Sequence, residues 1–330
     1  MPLHQVYPPT GKEQTGAATC IDIVAVHGLN PRNKKDHAFR TWTKNGRNWL
    51  TDDLPGDLPG ARIFVYEYNS YPENSDQKQR LVKEALQLLN LIDSRRDDQP
   101  GRPPRPLIFI AHSLGGLLVK QCLVKAKMDA NFATLFSAVK GLVFFGVPHL
   151  GGKDKLLFLG RVAQSALELM SGSASLSKKD ESEFLDAITG GSPSSDTLTE
   201  LFRGINSHCP IVSFYENKPT GKFGIVVDEA SAKIGLAGEY IIRLEANHSD
   251  MCRFDTTKEQ DHESYLLVKK RVQTLFNNAL PTPVETPSDG RSFRALLPSA
   301  PAISGVIDSG NASHPPLGWW ADPRAEFAYR

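Results

Sequence analysis

The sequence has almost no net charge: 38 lysines and arginines stand against 37 aspartates and glutamates. Without a bulk positive field nothing draws a phosphate backbone to it, so no nucleic-acid partner is expected. Cysteine is scarce as well. Cys20, Cys122, Cys209 and Cys252 are scattered, form no CxxC, and give no Cys/His pair with metal-ligand spacing. Neither a metal centre nor a disulfide scaffold is therefore expected. Cys20 and Cys122 adjoin apolar runs and read as buried, reduced thiols, which fits a reducing, cytoplasmic compartment. No apolar run approaches the ~20 residues of a membrane helix. The first fourteen residues are polar, with neither a signal core nor an Arg-rich amphipathic pattern. Peripheral membrane contact stays open.

What is present is an alternation of apolar strand-like runs with helical patterns over 19–279. That alternation marks an α/β fold, an open and mostly parallel sheet flanked by helices. Strands are expected at Cys20–His27, Arg62–Tyr68, Pro106–Ala111, Gly141–Val147, Ile211–Tyr215 and Tyr240–Leu244. Helices are expected at Ala38–Leu50, Gln77–Asp93, Leu114–Met128 and Ser264–Leu280. Residues 1–18 read as an irregular lead-in, and 150–206 as a helical insertion broken by Ser/Gly-rich stretches. From about 280 the chain turns to Pro, Ser, Gly and Ala, which predicts a disordered tail to 330. Trp319 and Trp320 in that tail could dock on a protein partner. Apolar runs without alternation are strands buried on both faces, and such sheets bind ligands beyond the carboxyl ends of their strands.

One strand end is distinctive. Ile110-Ala111-His112-Ser113-Leu114-Gly115-Gly116 passes from strand directly into helix. This is the small-x-Ser-x-Gly pattern of a nucleophile elbow, in which the turn projects the serine above the sheet. Positions two before and two after must be small because strand and helix backbones nearly touch. Ala111 adds only a methyl group there, and Gly115 keeps the rule. A serine capping a helix is the plainer reading of the same residue. The strand and helix on the correct sides favour the elbow.

Ser113 needs a base and an acid, in the chain order Ser, Asp/Glu, His. His248, in the loop after the last strand, can reach back over the strand ends. His262 lies on the closing helix, and His208 precedes a strand at the wrong end of the sheet. Glu216 ends the strand beginning at Ile211 and is the expected acid. Asp228 is the alternative, although it also reads as a helix N-cap. The loop His27-Gly28-Leu29-Asn30 follows the first strand, so the Leu29 and Leu114 N–H groups are the expected oxyanion donors. His27, Gly28, His112 and His149 are expected around the pocket.

Several blocks together resemble one family: Val24-Ala25-Val26-His27-Gly28-Leu29, Ala111-His112-Ser113-Leu114-Gly115-Gly116, Leu142-Val143-Phe144-Phe145-Gly146-Val147-Pro148-His149, Ser213-Phe214-Tyr215-Glu216, and Asn247-His248-Ser249-Asp250-Met251-Cys252-Arg253-Phe254. They resemble the lipase-like serine esterase domain of fungal NLR-type proteins. That domain is similar to the mitochondrial serine-active-site family of phosphatidylglycerol remodelling, and more distantly to GPI inositol-deacylases. The resemblance implies an α/β-hydrolase fold, ester or lipid substrates, and a Glu at position 216. Val147 stands where the family's Gly-Thr-Pro-His motif has Thr.

The expected chemistry is ester cleavage through an acyl-enzyme on Ser113, with no cofactor. Thioester or lactone hydrolysis would use the same residues. A signalling or interaction module that keeps the fold without turnover is the reading from another class. Leu156, Leu157, Phe158 and Leu159 in the insertion would form an apolar lid over an acyl pocket, or simply pack a core helix.

Overall fold

The computed structural model describes residues 2–9, 21–30, 33–70, 77–96, 103–149, 195–206, 209–221 and 224–280. The chain divides into a compact unit, Met1–Thr282, and a second, Pro283–Arg330, which lies outside the described residues. Also outside them fall Cys20, His208, the expected lid at 150–194, and the tail with Trp319 and Trp320.

Nine strands are described: β1 Leu3–Tyr7, β2 Ile21–Val26, β3 Thr43–Lys44, β4 Arg47–Asn48, β5 Ala61–Tyr66, β6 Leu107–His112, β7 Val139–Phe145, β8 Ile211–Glu216 and β9 Tyr240–Leu244. The central sheet runs β1-β5-β2-β6-β7-β8-β9. All pairs within it are parallel except β1 with β5. The irregular lead-in expected over 1–18 is thus partly strand. Its residues make an antiparallel edge, a pairing of residues some sixty positions apart that local pattern does not reveal.

The helices are α1 His37–Arg40, α2 Trp49–Asp52, α3 Leu54–Asp57, α4 Gln77–Asp93, α5 Leu114–Met128, α6 Ala133–Ala138, α7 Ser195–Ile205, α8 Glu229–Ala232 and α9 Glu259–Ala279. The single helix expected over Ala38–Leu50 is instead two short helices around the β3–β4 hairpin. Asn45 and Gly46 at its tip have φ of 51° and 81°. Asn-Gly is the turn pair that best accepts two positive φ values, and it overrides the helical spacing of the aromatics. The closing helix starts at Glu259 rather than Ser264. Its polar first turn carries Glu259 and Asp261, which favour a helix N-terminus electrostatically.

Alternation along each strand divides two cores. Val24, Val26, Phe109, Ala111, Leu142 and Phe144 face α4, α5, α6 and α7. Ile23, Ala25, Ile108, Ile110, Val143 and Phe145 face Trp42, Trp49, Leu54 and α9. Five residues of α9, Tyr265, Val268, Val272, Leu275 and Phe276, are buried there. Each large apolar side chain so buried contributes about 1.5–3 kcal/mol, so α9 clamps that face of the sheet.

From β2 the chain goes first to one neighbour, β5, and then to the other, β6. The sheet order reverses at that point, and a crevice opens beyond the carboxyl ends of β2 and β6. The loop after β2 and the turn after β6 meet in it.

Candidate active site

β6 hands over to α5 at Ser113, whose φ of 50° and ψ of −122° lie in a region few L-residues occupy. Such strain persists only where surroundings impose it. Here the Ser113 N–H donates to Phe145 O at 2.9 Å, and the Ser113 carbonyl accepts from Gly116 N–H at 3.0 Å. A Cβ at Gly115 would lie 2.4 Å from His27 O and 2.6 Å from Val26 O, so only glycine lets α5 touch β2 there. A Cβ at Gly116 would meet the Val147 methyls at 2.3 and 2.4 Å. The small residues of the elbow are thus demanded by close approach on two sides.

Ser113 Oγ is 3.0 Å from His248 Nε2. On the other side of the ring, His248 Nδ1 is 3.3 Å from Glu216 Oε2. Ser113, His248 and Glu216 are 3%, 8% and 1% exposed. The second carboxylate oxygen of Glu216 accepts the Val226 and Val227 N–H groups, each at 2.7 Å. That network gives His248 the tautomer with Nδ1–H donating to Glu216 and a bare Nε2 facing the serine hydroxyl. Asp228 is not in this group. It is exposed and caps α8, accepting from Ser231 N–H at 2.8 Å.

The loop after β2 lies directly against the elbow: a Cβ at Gly28 would be 3.0 Å from Ser113 Cβ and 2.9 Å from His112 Nδ1. Leu29 is the next residue of that loop. Leu114 opens α5, where the first N–H groups have no intrahelical acceptor. His27 is buried and structural in its contacts. Its Nδ1–H donates to Gly28 O at 2.8 Å, its Nε2 accepts Tyr68 N–H at 3.3 Å, and its ring stacks on Tyr68. Burial, helped by nearby His37, pushes its pKa down to about 3. A cleft of about 400 Å³ borders the same loop, lined by His27, Asn30, Lys34, His37 and Tyr68 among others. Ser113, His248 and Glu216 are not on its wall.

His112 directs its Nε2–H to the His248 carbonyl at 2.9 Å. Burial, then the neighbouring His248, hold its pKa well below the ordinary histidine value. His149 is 1% exposed and lies against Phe144, with neither ring nitrogen hydrogen-bonded among the described residues. Desolvation by burial, then Lys120 and Arg203, keep it neutral.

Three supporting residues carried no assigned role in the sequence. Gly146 has φ of 53°, and a Cβ there would sit 2.8 Å from His248 Cε1 and 2.8 Å from Met251 Sδ. Thr220 Oγ1 accepts His248 N–H at 3.1 Å. Trp49 Nε1–H donates to Cys252 O at 2.9 Å, while Met251, Cys252 and Phe254 are buried in the α9-side core. The His248 loop is thus plugged into the core just after the histidine. The glycine before Val147-Pro148 was the one signal in the sequence that pointed here. Cys122, Cys209 and Cys252 are free thiols, and burial raises Cys252 to about 12. No helix among the described residues is long and apolar enough to cross a membrane.

Sheet order, elbow and crossovers together define the fold as that of the α/β-hydrolases. No protein-family model matches the chain. It is similar to Protein SERAC1 of Danio rerio, 27% identical over 264 residues, which is 70% of this chain and 36% of that protein. The chain spans about a third of the length of the curated relatives it matches. Among solved structures it is similar to an esterase of Pyrococcus furiosus, at 16% identity and TM-score 0.48, covering 80% of this chain and 84% of that one. A carboxylesterase of Nitrososphaera gargenis is similar at 12% identity and TM-score 0.48, covering 80% and 93%.

Proposed function

We propose that the chain is a serine hydrolase that cleaves carboxylic esters, lipid-like ones foremost, with Ser113 as nucleophile, His248 as general base and Glu216 as the acid that orients it. The observation that carries this reading is the unbroken Ser113–His248–Glu216 relay, with separations of 3.0 and 3.3 Å. His248 Nε2 takes the hydroxyl proton as Ser113 Oγ bonds to the ester carbonyl carbon. The imidazolium so formed faces a buried carboxylate, which stabilises it. The Leu29 and Leu114 N–H groups receive the oxyanion, in a water-poor site where each such donor is worth about 3–4 kcal/mol of barrier. His248 then passes its proton to the departing alcohol. In the second half it draws a proton from water as the water oxygen bonds to the acyl carbon. It then passes that proton to Ser113 Oγ as the acyl C–O bond breaks and the carboxylic acid leaves.

The test is labelling by a fluorophosphonate probe, with turnover of short-chain and long-chain aryl esters followed alongside. Wild type is expected to label and to turn over ester, Ser113→Ala to do neither, and His248→Ala to keep only a trace of turnover, with both variants still melting cooperatively. A folded wild type that neither labels nor turns over ester would overturn the reading and favour an interaction module with a hydrolase fold. Turnover of thioesters or lactones in preference to esters would keep the residues and change the substrate class.

A further inference from the structure

We infer that His112 and Thr220 are positioning residues that clamp the backbone of His248 from opposite sides, setting its imidazole between Ser113 and Glu216. The inference rests on the reading of His248 as general base and adds to it how that base is held.

The peptide groups of His248 point the way. Its N–H donates to Thr220 Oγ1 at 3.1 Å, and its carbonyl accepts His112 Nε2–H at 2.9 Å. The turn around it is braced separately. Asn247 O accepts from Asp250 and Met251 N–H at 3.2 and 3.0 Å, and Asn247 Oδ1 accepts from Ser249 and Asp250 N–H at 3.0 Å each. Neither His248 peptide group takes part in that brace. Both are instead bonded by side chains from elsewhere: Thr220 four residues past Glu216, and His112 immediately before Ser113. One clamp therefore ties the base to the acid's loop, and the other ties it to the nucleophile's turn.

The fit of His112 supports this role. Its ring lies against Gly28, where any Cβ would come within 2.9 Å of Nδ1, so the loop carrying Leu29 is shaped around it. Its centroid is 5.1 Å from that of His248. A second cation at that distance would oppose the imidazolium that the reaction creates. Burial, first of all, keeps His112 neutral, so it can donate without repelling. Positioning by hydrogen bond matters because a misplacement of about 1 Å in a reacting group can cost roughly 100-fold in rate.

The experiment is steady-state turnover of an aryl ester by His112→Leu, His112→Gln, Thr220→Val and Thr220→Ser, the Thr220 pair also made in a His248→Ala background. Gln places an amide N–H near the position of the imidazole Nε2–H, and Ser keeps the hydroxyl. His112→Leu and Thr220→Val are each expected to lower kcat about 10- to 100-fold with KM within about twofold. The conservative variants restore most of that loss. In the His248→Ala background the two Thr220 variants are expected to leave the trace turnover unchanged, because the group they position is gone. Unchanged kcat in both disruptive variants would overturn the inference, as would an equal loss in the His248→Ala background. Should His112→Leu fail to fold, the Thr220 pair and His112→Gln carry the same test. Full activity in His248→Ala itself would overturn the base assignment and the clamp together. A His248→Ala reduced to trace turnover, beside wild-type rates in the other variants, would overturn the clamp alone.

Discussion

Two buried carboxylates sit at opposite ends of the same sheet and are held in opposite ways. Asp22, near the start of β2, is 1% exposed and meets three guanidinium groups: Arg62 at 2.8 Å, Arg96 at 3.0 Å and Arg105 at 3.5 Å. Glu216, at the carboxyl end of β8, is equally buried but meets two peptide N–H groups and one imidazole. Arginine is always charged, so the field around Asp22 is the same at every moment. In the mechanism we propose, the imidazole beside Glu216 gains its charge only as it takes the Ser113 proton. An interaction that strengthens as the transition state forms is the kind that accelerates a reaction. Burial of a carboxylate alone therefore says little about function; the nature of its partner decides.

The largest expected effect tests that distinction directly. Glu216→Gln keeps an oxygen for Val226 and Val227 but presents an amide to His248, favouring the wrong tautomer. It is expected to lower kcat by about 10⁴-fold, with a small change in thermal midpoint. Retained activity would make Glu216 a structural carboxylate like Asp22, and the contrast would collapse.

Asp22→Asn is expected to do the reverse. It removes one charge and leaves three, with Arg96 only 2% exposed. Losing one partner of a buried pair costs about 3–5 kcal/mol. Urea unfolding would measure that loss, while kcat per folded molecule stays at the wild-type value. A full-stability Asp22→Asn would show the arginines to be hydrated and the network weak.

A third buried charge sharpens the comparison because it has less company than either. Lys120 on α5 is fully buried, donates to Thr199 Oγ1 at 3.2 Å and lies 5.9 Å from the Phe202 ring centre. Desolvation, then Arg203, lower its pKa to about 7, with Glu239 opposing. Between pH 7 and its ordinary value near 10.5 the unfolded chain binds a proton that the folded chain does not. Stability therefore rises with pH over that window, by on the order of 1 kcal/mol per pH unit, and the penalty is full below it. Lys120→Met is expected to flatten that slope and to be more stable than wild type at pH 7. Unfolding midpoints at pH 7 and pH 9.5 measure both; an unchanged slope would assign the pH dependence elsewhere.

The smallest effect concerns the other carboxylate near the site. Asp228→Ala removes the N-cap of α8 and is expected to cost about 1 kcal/mol with turnover unchanged. A large loss of kcat in that variant would return Asp228 to the chemistry and displace Glu216.

Some of this was legible without coordinates because it is local. The elbow is one strand, one turn and one helix within a few residues, and its small positions follow from backbone contact alone. The order of strand ends likewise brings Ser113, Glu216 and His248 to one edge. Other features were not legible. The β1 edge pairs residues about sixty apart, and the Asp22 network gathers Arg62, Arg96 and Arg105 from three segments. Helical spacing misread Ala38–Leu50 because the aromatics Trp42 and Trp49 are buried across a hairpin, not along a helix. The Asn45-Gly46 pair was the signal that outranked it.

By itself the sequence determined the α/β alternation, the strained serine turn and the chemical types at the strand ends, since these depend on periodicity and on steric limits within a few residues. Only the tertiary structure decided which histidine nitrogen faces Ser113, why glycine is required at 28 and 146, and that His112 and Thr220 hold His248. Those depend on ångström-scale contacts between segments up to 136 residues apart in the chain. Distances of that kind are fixed by packing of the whole fold, and no local pattern encodes them.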